Sequence, residues 1–250
     1  MTKKATIHKQ NSVIRGSDDY SVHAKRAMNA IYWAIQKHNL FDVNHFDMKY
    51  STLRELMCLQ NDEDYVNRIN DSIKELEKTI ELNNWVDPWG RKVHRKTMRI
   101  VNETTVYKEN KNKIIRIEMN NTMRELMKQK DNFTELDLVQ YANKFRTKYA
   151  MKLYEYLKSF ESYYYLNVTD KFMRELLNVQ EIKKYQYFST LDQLVERQMK
   201  EITSKSDLDQ VTYKAIKATK TFRFLINKKS KKNADQQEAK ATLDNLIKRF

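Results

Sequence analysis

The chain has 250 residues, with 47 Lys or Arg against 33 Asp or Glu and a formal net charge of +14, yet it holds 2 glycines, 1 proline and 1 cysteine. Glycine this scarce excludes the three-glycine dinucleotide fingerprint and the two-glycine phosphate loop, because Gly16 and Gly90 stand alone, and an all-β sandwich would need more turn residues. The lone Cys58 excludes an intrachain disulfide and a cysteine-based zinc site and fits a reducing cytoplasm.

In chain order, Met1 to Gly16 is charged without an apolar segment, and the most apolar run, Met28 to Ile35, is interrupted by Asn29, so neither a signal peptide nor a membrane span is expected. Ser21 caps a predicted helix to about His38 whose Ala24, Ala27, Met28, Ile31, Ala34 and Ile35 recur at helical spacing. A short helix is predicted over Ser51 to Met57, capped by Ser51 or Thr52, and a longer one over Glu63 to Glu77 with Val66, Ile69, Ile73 and Leu76 inward. This is helix-turn-helix order. Thr79 to Val86, Val93 to Tyr107 and Lys113 to Met119 read as strands of a small antiparallel sheet, with turns at Asp87 to Gly90 and at Lys108 to Asn112. Helix-turn-helix followed by a basic hairpin is the winged-helix arrangement.

Helical patterning returns at Thr122 to Lys128 and around Leu136 to Phe145, and more clearly from Thr147 to Phe160, where Ala150, Leu153, Tyr154, Leu157 and Phe160 form an apolar stripe. The last of these reads as a connector. Beyond it the first order repeats: Thr169 caps a helix through Leu177, Ser189 or Thr190 caps a longer one to Thr203, and Gln210 to Asn227 reads as a basic hairpin. The offset, judged from Arg54-Glu55-Leu56 against Arg174-Glu175-Leu176, is about 120 residues, although Arg124-Glu125-Leu126 repeats the tripeptide too. A final helix from Ala234 to Phe250 carries Ala241, Leu243, Leu246 and Ile247 on one side. The fold expected is α+β, mainly helical, with two tandem winged-helix domains: residues 1–146, a connecting helix over 147–160, and 161–250.

The charge is clustered. Tyr213 to Lys232 holds eight bases and no acid, and Arg91 to Ile117 holds nine bases against Glu103 and Glu109. Basic hairpins beside helices point to a polyanion surface. Catalytic constellations are missing: His8, His23, His38, His45 and His94 lack the spacing of a nickase or zincin metal site. Tyr163, Tyr164 and Tyr165 therefore read as packing residues, and Asp62 with Asp64, and Asp207 with Asp209, as helix caps. Neither an enzyme nor a cofactor is expected.

In a winged helix the third helix enters the major groove and the hairpin approaches the backbone or minor groove. In the second half Ser189, Thr190, Gln193, Arg197 and Lys200 take one side of that helix, and Leu191, Leu194, Val195, Met199 and Ile202 the other. Arg197 suits guanine, Gln193 adenine, and Ser189 and Thr190 a phosphate at the helix N-terminus; pairing of Arg197 with Glu196 or Glu201 is the alternative. Lys183 and Lys184 before the helix, and Lys214, Lys217, Lys220 and Arg223 on the hairpin, complete the expected surface. In the first half Asn67, Arg68, Asn70, Asp71 and Lys74 form a less basic face, suited to positioning, joined by Arg91, Lys92, Arg95, Lys96, Lys111 and Lys113.

The run from Lys148 to Leu157, Lys-Tyr-Ala-Met-Lys-Leu-Tyr-Glu-Tyr-Leu, resembles the hallmark segment of theta-type, iteron-binding plasmid replication initiators. Asn11-Ser-Val-Ile14, Met173 to Leu177, Lys184-Tyr185, Lys200 to Thr203 and Asp207-Leu208 follow in the order similar to that family, over about residues 10 to 228. The resemblance implies two winged-helix domains related by pseudo-twofold symmetry. It implies monomers on direct repeats of duplex origin DNA, and dimers, formed through the first domain, on an operator inverted repeat that represses the initiator's own gene. It also implies recruitment of host initiator, helicase and primase, in a bacterial cytoplasm with the protein on its plasmid. Relatives often carry two adjacent bases early in the second recognition helix where this chain has Asp192-Gln193, which shifts the expected base readers to Gln193, Arg197 and Lys200. A winged-helix repressor without initiator activity is the competing reading.

Overall fold

The computed structural model describes residues 5–16, 18–87, 91–129, 131–139 and 142–226. The chain opens with β1 (Thr6–Gln10) and the short α1 (Asn11–Arg15), then enters α2 (Val22–His38). The Ser21 hydroxyl accepts from the Ala24 amide at 3.1 Å and starts α2 as its sequence predicts. Ala24, Ala27, Ala30 and Ala34 are buried along it; side chains this small let α4, β1 and α6 approach closely. Asn39, at φ 53°, ends the helix.

Next come β2 (His45–Lys49), α3 (Tyr50–Leu56), α4 (Tyr65–Leu76), the hairpin β3 (Thr79–Val86) and β4 (Lys92–Arg99), then β5 (Val101–Glu109) and β6 (Asn112–Met119). After α5 (Asn121–Lys128) and β7 (Phe133–Asp137) the chain enters α6 (Lys148–Lys158). The last stretch is β8 (Tyr165–Thr169), α7 (Asp170–Leu177), α8 (Phe188–Lys205), β9 (Thr212–Ile216) and β10 (Thr221–Leu225). The sheets are small: β1–β7, β3–β4, and two three-stranded sheets ordered β2-β6-β5 and β8-β10-β9. Those two share one topology. Each runs strand, short helix, long helix, hairpin, with the final strand central, and β3–β4 is an extra hairpin between α4 and β5.

The sequence expectations need correction at several points. Neither Ser51 nor Thr52 caps α3, which starts at Tyr50 directly from β2, and neither Ser189 nor Thr190 caps α8, which starts at Phe188. The predicted single strand from Val93 to Tyr107 is two: Ile100 and Val101 are both buried, so strict alternation breaks and the chain passes from one sheet to another. The predicted helical stretch at Leu136 to Phe145 is β7 followed by one 3-10 turn, because Leu136 pairs with Ile7 of a strand far away in sequence. Asp207 accepts from the Tyr154 hydroxyl at 3.0 Å and Lys158 at 2.6 Å, and so anchors α6 instead of capping a helix. Asp62 accepts from the Asp64 amide, while Asp64 precedes α4 without a side-chain cap. Tyr163 packs edge-on against Phe160 at 5.3 Å. Pro88, Trp89 and Gly90 of one expected turn lie outside the described residues, as do Asn227, Lys228, Lys229, Lys231, Lys232 and the expected helix from Ala234 to Phe250.

Helix α6 is buried from Ala150 to Leu157, charged residues included. Lys9 of β1 donates to both oxygens of Glu155 at 2.9 and 2.8 Å, with both side chains 2% exposed. It also reaches Asn29 of α2, which donates to Asn143, which in turn donates to the Leu56 carbonyl. A turn away, Lys152 donates to the Gly16 carbonyl at 2.6 Å and to Asp18, which also pairs with Lys25. Burial pushes the Asp18 carboxyl up, but the Lys25 and Lys152 ammonium groups outweigh it and hold the acid well below its ordinary range. Burial lowers Lys152 to about 8 against the pull of Asp18.

Breaking the pair from one side, by Glu155→Gln or Lys9→Met, is expected to cost about 3 to 5 kcal/mol in urea unfolding, whereas a double replacement by apolar residues recovers most of it. Because the folded-state pKa of Asp18 is depressed, its stabilisation is complete above the ordinary carboxyl value of about 3.9 and fades as pH falls below it. The stability gap between the native chain and Asp18→Asn should therefore narrow from pH 5 to pH 2; a constant gap would contradict the assignment.

Candidate nucleic-acid interface

The connections into the two long helices are built alike. After α3 and α7 the chain closes at Cys58 (φ 57°) and Asn178 (φ 51°), the Leu59 amide donates to the Arg54 carbonyl and the Val179 amide to the Arg174 carbonyl. Each arginine then turns back on its connection. Arg54 donates to the carbonyls of Leu59 and Gln60 at 3.2 and 2.8 Å, and Arg174 to those of Tyr185 and Gln186 at 2.8 and 3.0 Å. The repeated Arg-Glu-Leu thus has the same task twice, while Arg124 instead bonds Val43 and Asn44. Cys58 to Tyr65 spans seven positions and Asn178 to Phe188 ten; the longer connection contains the 3-10 turn Lys183–Tyr185.

The charge on these twin connections is opposite. Ahead of α4 stand Asp62, Glu63 and Asp64; ahead of α8 stand exposed Lys183 and Lys184, which make no ion pair among the described residues. On α8, Leu191, Leu194, Val195, Met199 and Ile202 are buried, and Ser189, Gln193, Arg197 and Lys200 are exposed. Lys200 pairs with Glu196 at 2.9 Å, and Glu201 pairs with Lys205 and accepts from the Arg146 amide. Arg197 itself has no acidic partner among the described residues. Thr190 is committed: its hydroxyl proton is shared between the Tyr187 carbonyl, at 2.9 Å, and the Lys184 carbonyl.

Lys214 and Arg223 face each other across β9 and β10, an arrangement of like charges that is unfavourable without an anion. Arg223 also donates to Asn167 at 2.9 Å and lies 5.6 Å from the Tyr165 ring. Lys217 and Lys220 stand exposed at the hairpin tip.

The first-half bases are dispersed. Arg91, Lys92, Arg95 and Lys96 belong to the β3–β4 hairpin and Lys111 and Lys113 to β5–β6, which is a different sheet. Most are engaged: Arg68 with Asp62, Arg91 with Asp87, Arg95 with Glu81, Lys96 with the Thr122 hydroxyl, and Lys113 over the Tyr50 ring at 4.5 Å. Lys74, Lys92 and Lys111 remain exposed. The fold therefore brings Lys183, Lys184, Gln193, Arg197, Lys214, Lys217 and Lys220 onto one strand–helix–helix–hairpin unit, whereas the first-half bases divide between the first such unit and the extra β3–β4 hairpin and are mostly engaged.

Among the described residues, no group of three or more His, Cys, Asp or Glu is placed to hold a metal ion, and no helix is long and apolar enough to cross a membrane. The family model for the initiator replication protein, WH1, matches residues 6–158, from β1 to the last residue of α6. The crystal structure of selenomethionine domains 2 and 3 of RctB is similar in fold at TM-score 0.51 and 13% identity, over 87% of this chain and 81% of that one. A second crystal structure of RctB domains 2-3 aligns at TM-score 0.44 and 12% identity, over 87% and 82%, and adds nothing further. No curated protein matches the chain.

Arg174→Ala should release the carbonyls of Tyr185 and Gln186, cost about 1 to 3 kcal/mol in unfolding and speed amide exchange over 183–187. Arg174→Lys should not restore protection, since a single ammonium cannot span both acceptors as the guanidinium fork does.

Proposed function

The chain belongs to the initiator replication protein family, and from that premise we propose that it starts plasmid replication by reading repeated sites in duplex origin DNA with α8. As a member of that family it is a DNA-binding replication initiator. The finer reading takes the two strand–helix–helix–hairpin units as tandem winged-helix domains related by a pseudo-twofold axis, over 1–146 and 161–250, joined by a connector over 147–160 that contains α6. The shared sheet topology and the twin arginine clamps support it.

The observation that carries the proposal is the outer face of α8. Gln193 and Arg197 are exposed on a helix whose other face is locked in the core, and lysines without acidic partners among the described residues flank them on both the connection and the hairpin. Arginine forks onto the two acceptors of guanine and glutamine onto the edge of adenine, while Lys183, Lys184, Lys214, Lys217 and Lys220 meet phosphates without selecting sequence. The first unit, with its acidic connection and paired bases, positions and associates: dimers formed through it bind an operator inverted repeat and repress the initiator's own gene, and monomers bind direct repeats. Contacts to two successive grooves drive local distortion of AT-rich DNA at a cost of several kcal/mol, and host initiator, helicase and primase are recruited there. No covalent step enters.

Duplex binding by the full chain is expected to weaken by about 10³ to 10⁵ between 50 and 200 mM salt. Arg197→Ala should lose base preference at one position by about 1 to 3 kcal/mol with the salt slope unchanged, and Lys214→Ala, Lys217→Ala and Lys220→Ala should each lower that slope by about 0.9. A plasmid carrying the origin but lacking this gene should replicate when the chain is supplied in trans. Operator binding without such replication would leave a repressor in place of an initiator.

A further inference from the structure

One side chain on the connection into α8 is not required by the fold. Tyr187, directly before the helix, is 72% exposed, more than any other large hydrophobic residue described. Its backbone is nevertheless fixed from behind. Arg174 holds the carbonyls of Tyr185 and Gln186, the Thr190 hydroxyl holds that of Tyr187, and the adjacent Phe188 stacks on buried Phe222 at 5.1 Å. An aromatic ring on two torsions, carried by a rigid support, loses little freedom when it makes a contact.

The other long helix shows that packing does not demand an aromatic here. Tyr65 and Phe188, the first residues of α4 and α8, both pack on the core. The residue before each is exposed, and it is Asp64 in one case and Tyr187 in the other. The connection into α4, which Arg54 clamps farther from its helix at Leu59 and Gln60, thus accepts a small acid at this place. Tyr187 leads into α8 from extended backbone at the N-cap, at the end of the helix where positions 190, 193, 197 and 200 recur at steps of three and four, the spacing of one helical stripe.

We infer that Tyr187 is a specificity-determining residue whose ring packs on the 5-methyl group of a thymine in the major groove, at the edge of the bases facing Gln193 and Arg197. The methyl of thymine is the apolar feature on the major-groove edge of the base pairs, and it is the natural partner of an exposed ring at the leading end of an inserted helix. Lys183 and Lys184 meet the neighbouring phosphates and hold that end against the groove. This inference rests on the reading of α8 as the base-reading helix.

The test uses the full chain and a pool of duplexes with a randomised core, from which bound sequences are selected. Each thymine of the enriched duplex is then replaced singly by deoxyuridine, which removes only the methyl. One replacement is expected to weaken binding by the native chain about fourfold, the scale of a single buried methyl, and to leave Tyr187→Ala unaffected. Tyr187→Ala should bind the enriched duplex about tenfold more weakly with an unchanged melting temperature, Tyr187→Phe should match the native chain, and Tyr187→Asp should fold. Native affinity and the same thymine dependence in Tyr187→Ala would overturn the inference, and so would a native chain indifferent to every deoxyuridine. Arg197→Ala separates the two levels: if it loses the selected preference while Tyr187→Ala keeps it, only the role of Tyr187 fails. If Arg197→Ala also keeps it, or the pool enriches no motif, the reading of α8 fails and takes this inference with it.

Discussion

Helix α6 is enclosed by protein and yet carries Lys152 and Glu155 into the interior, so its neighbours must supply opposite charge. A buried ion left alone costs several kcal/mol, and the partners come from two separate elements, Lys9 from β1 and Asp18 from the segment between α1 and α2, with Lys25 of α2 pairing with Asp18 in turn. Such pairing selects an arrangement more than it adds stability. A one-residue slip of β1 against β7 would turn Lys9 to the opposite face of its strand and leave Glu155 without its ion partner. The Lys9–Glu155 contact therefore fixes strand register, the seating of α2 and the rotation of α6 together.

The same helix fixes α8 from its other side. The Thr147 hydroxyl, which caps α6, also donates to buried Gln198 at 2.6 Å, the Arg146 amide donates to Glu201, and Tyr154 and Lys158 hold Asp207 just past the end of α8. The orientation of the exposed Gln193–Arg197 face is thus set by a helix whose own rotation is locked by Lys9. The base-reading role proposed for this face needs that rigidity, because a hydrogen-bond code on base edges discriminates only when donors arrive at fixed positions.

Much of this was legible in the sequence, for physical reasons that differ between elements. The helices α2, α6 and α7 announce themselves through local signals, a serine or threonine cap followed by apolar residues at helical spacing, and in all three the cap bond is present. The inward face of α8 was readable from Leu191 to Ile202 for the same reason. Strands β1, β2, β7 and β8 were not, because each is five residues long and is defined by a partner far away in the chain. Periodicity over five residues cannot separate a strand from a helix fragment, and Leu136 and Leu138 carry a helical signal on that account. The charge clusters were visible as composition, but composition does not say which bases are paired. Arg91, Arg95 and Lys96 are equivalent to Lys214 and Lys217 in sequence, but in the fold acids and a hydroxyl stand beside them.

The scarcity of glycine bears on the same surface. Positive φ angles are needed wherever a helix closes or a hairpin turns tightly, and here Asn39, Asn110, Asn132 and Asn178 take several of them. Asparagine tolerates that region through local hydrogen bonding. Lysine does not, and a left-handed non-glycine residue costs roughly 1 to 2 kcal/mol. Lys111, at φ 65°, and Lys220, at φ 49°, nevertheless occupy it, at the tips of β5–β6 and β9–β10, the corresponding hairpins of the two units. Strain of this kind persists where another requirement outweighs it. In the proposed complex these tips face the phosphate backbone, where a cation on a long flexible stem is the residue type that serves. The two units, opposite in charge at their helix connections, agree in carrying a left-handed lysine at these hairpin tips.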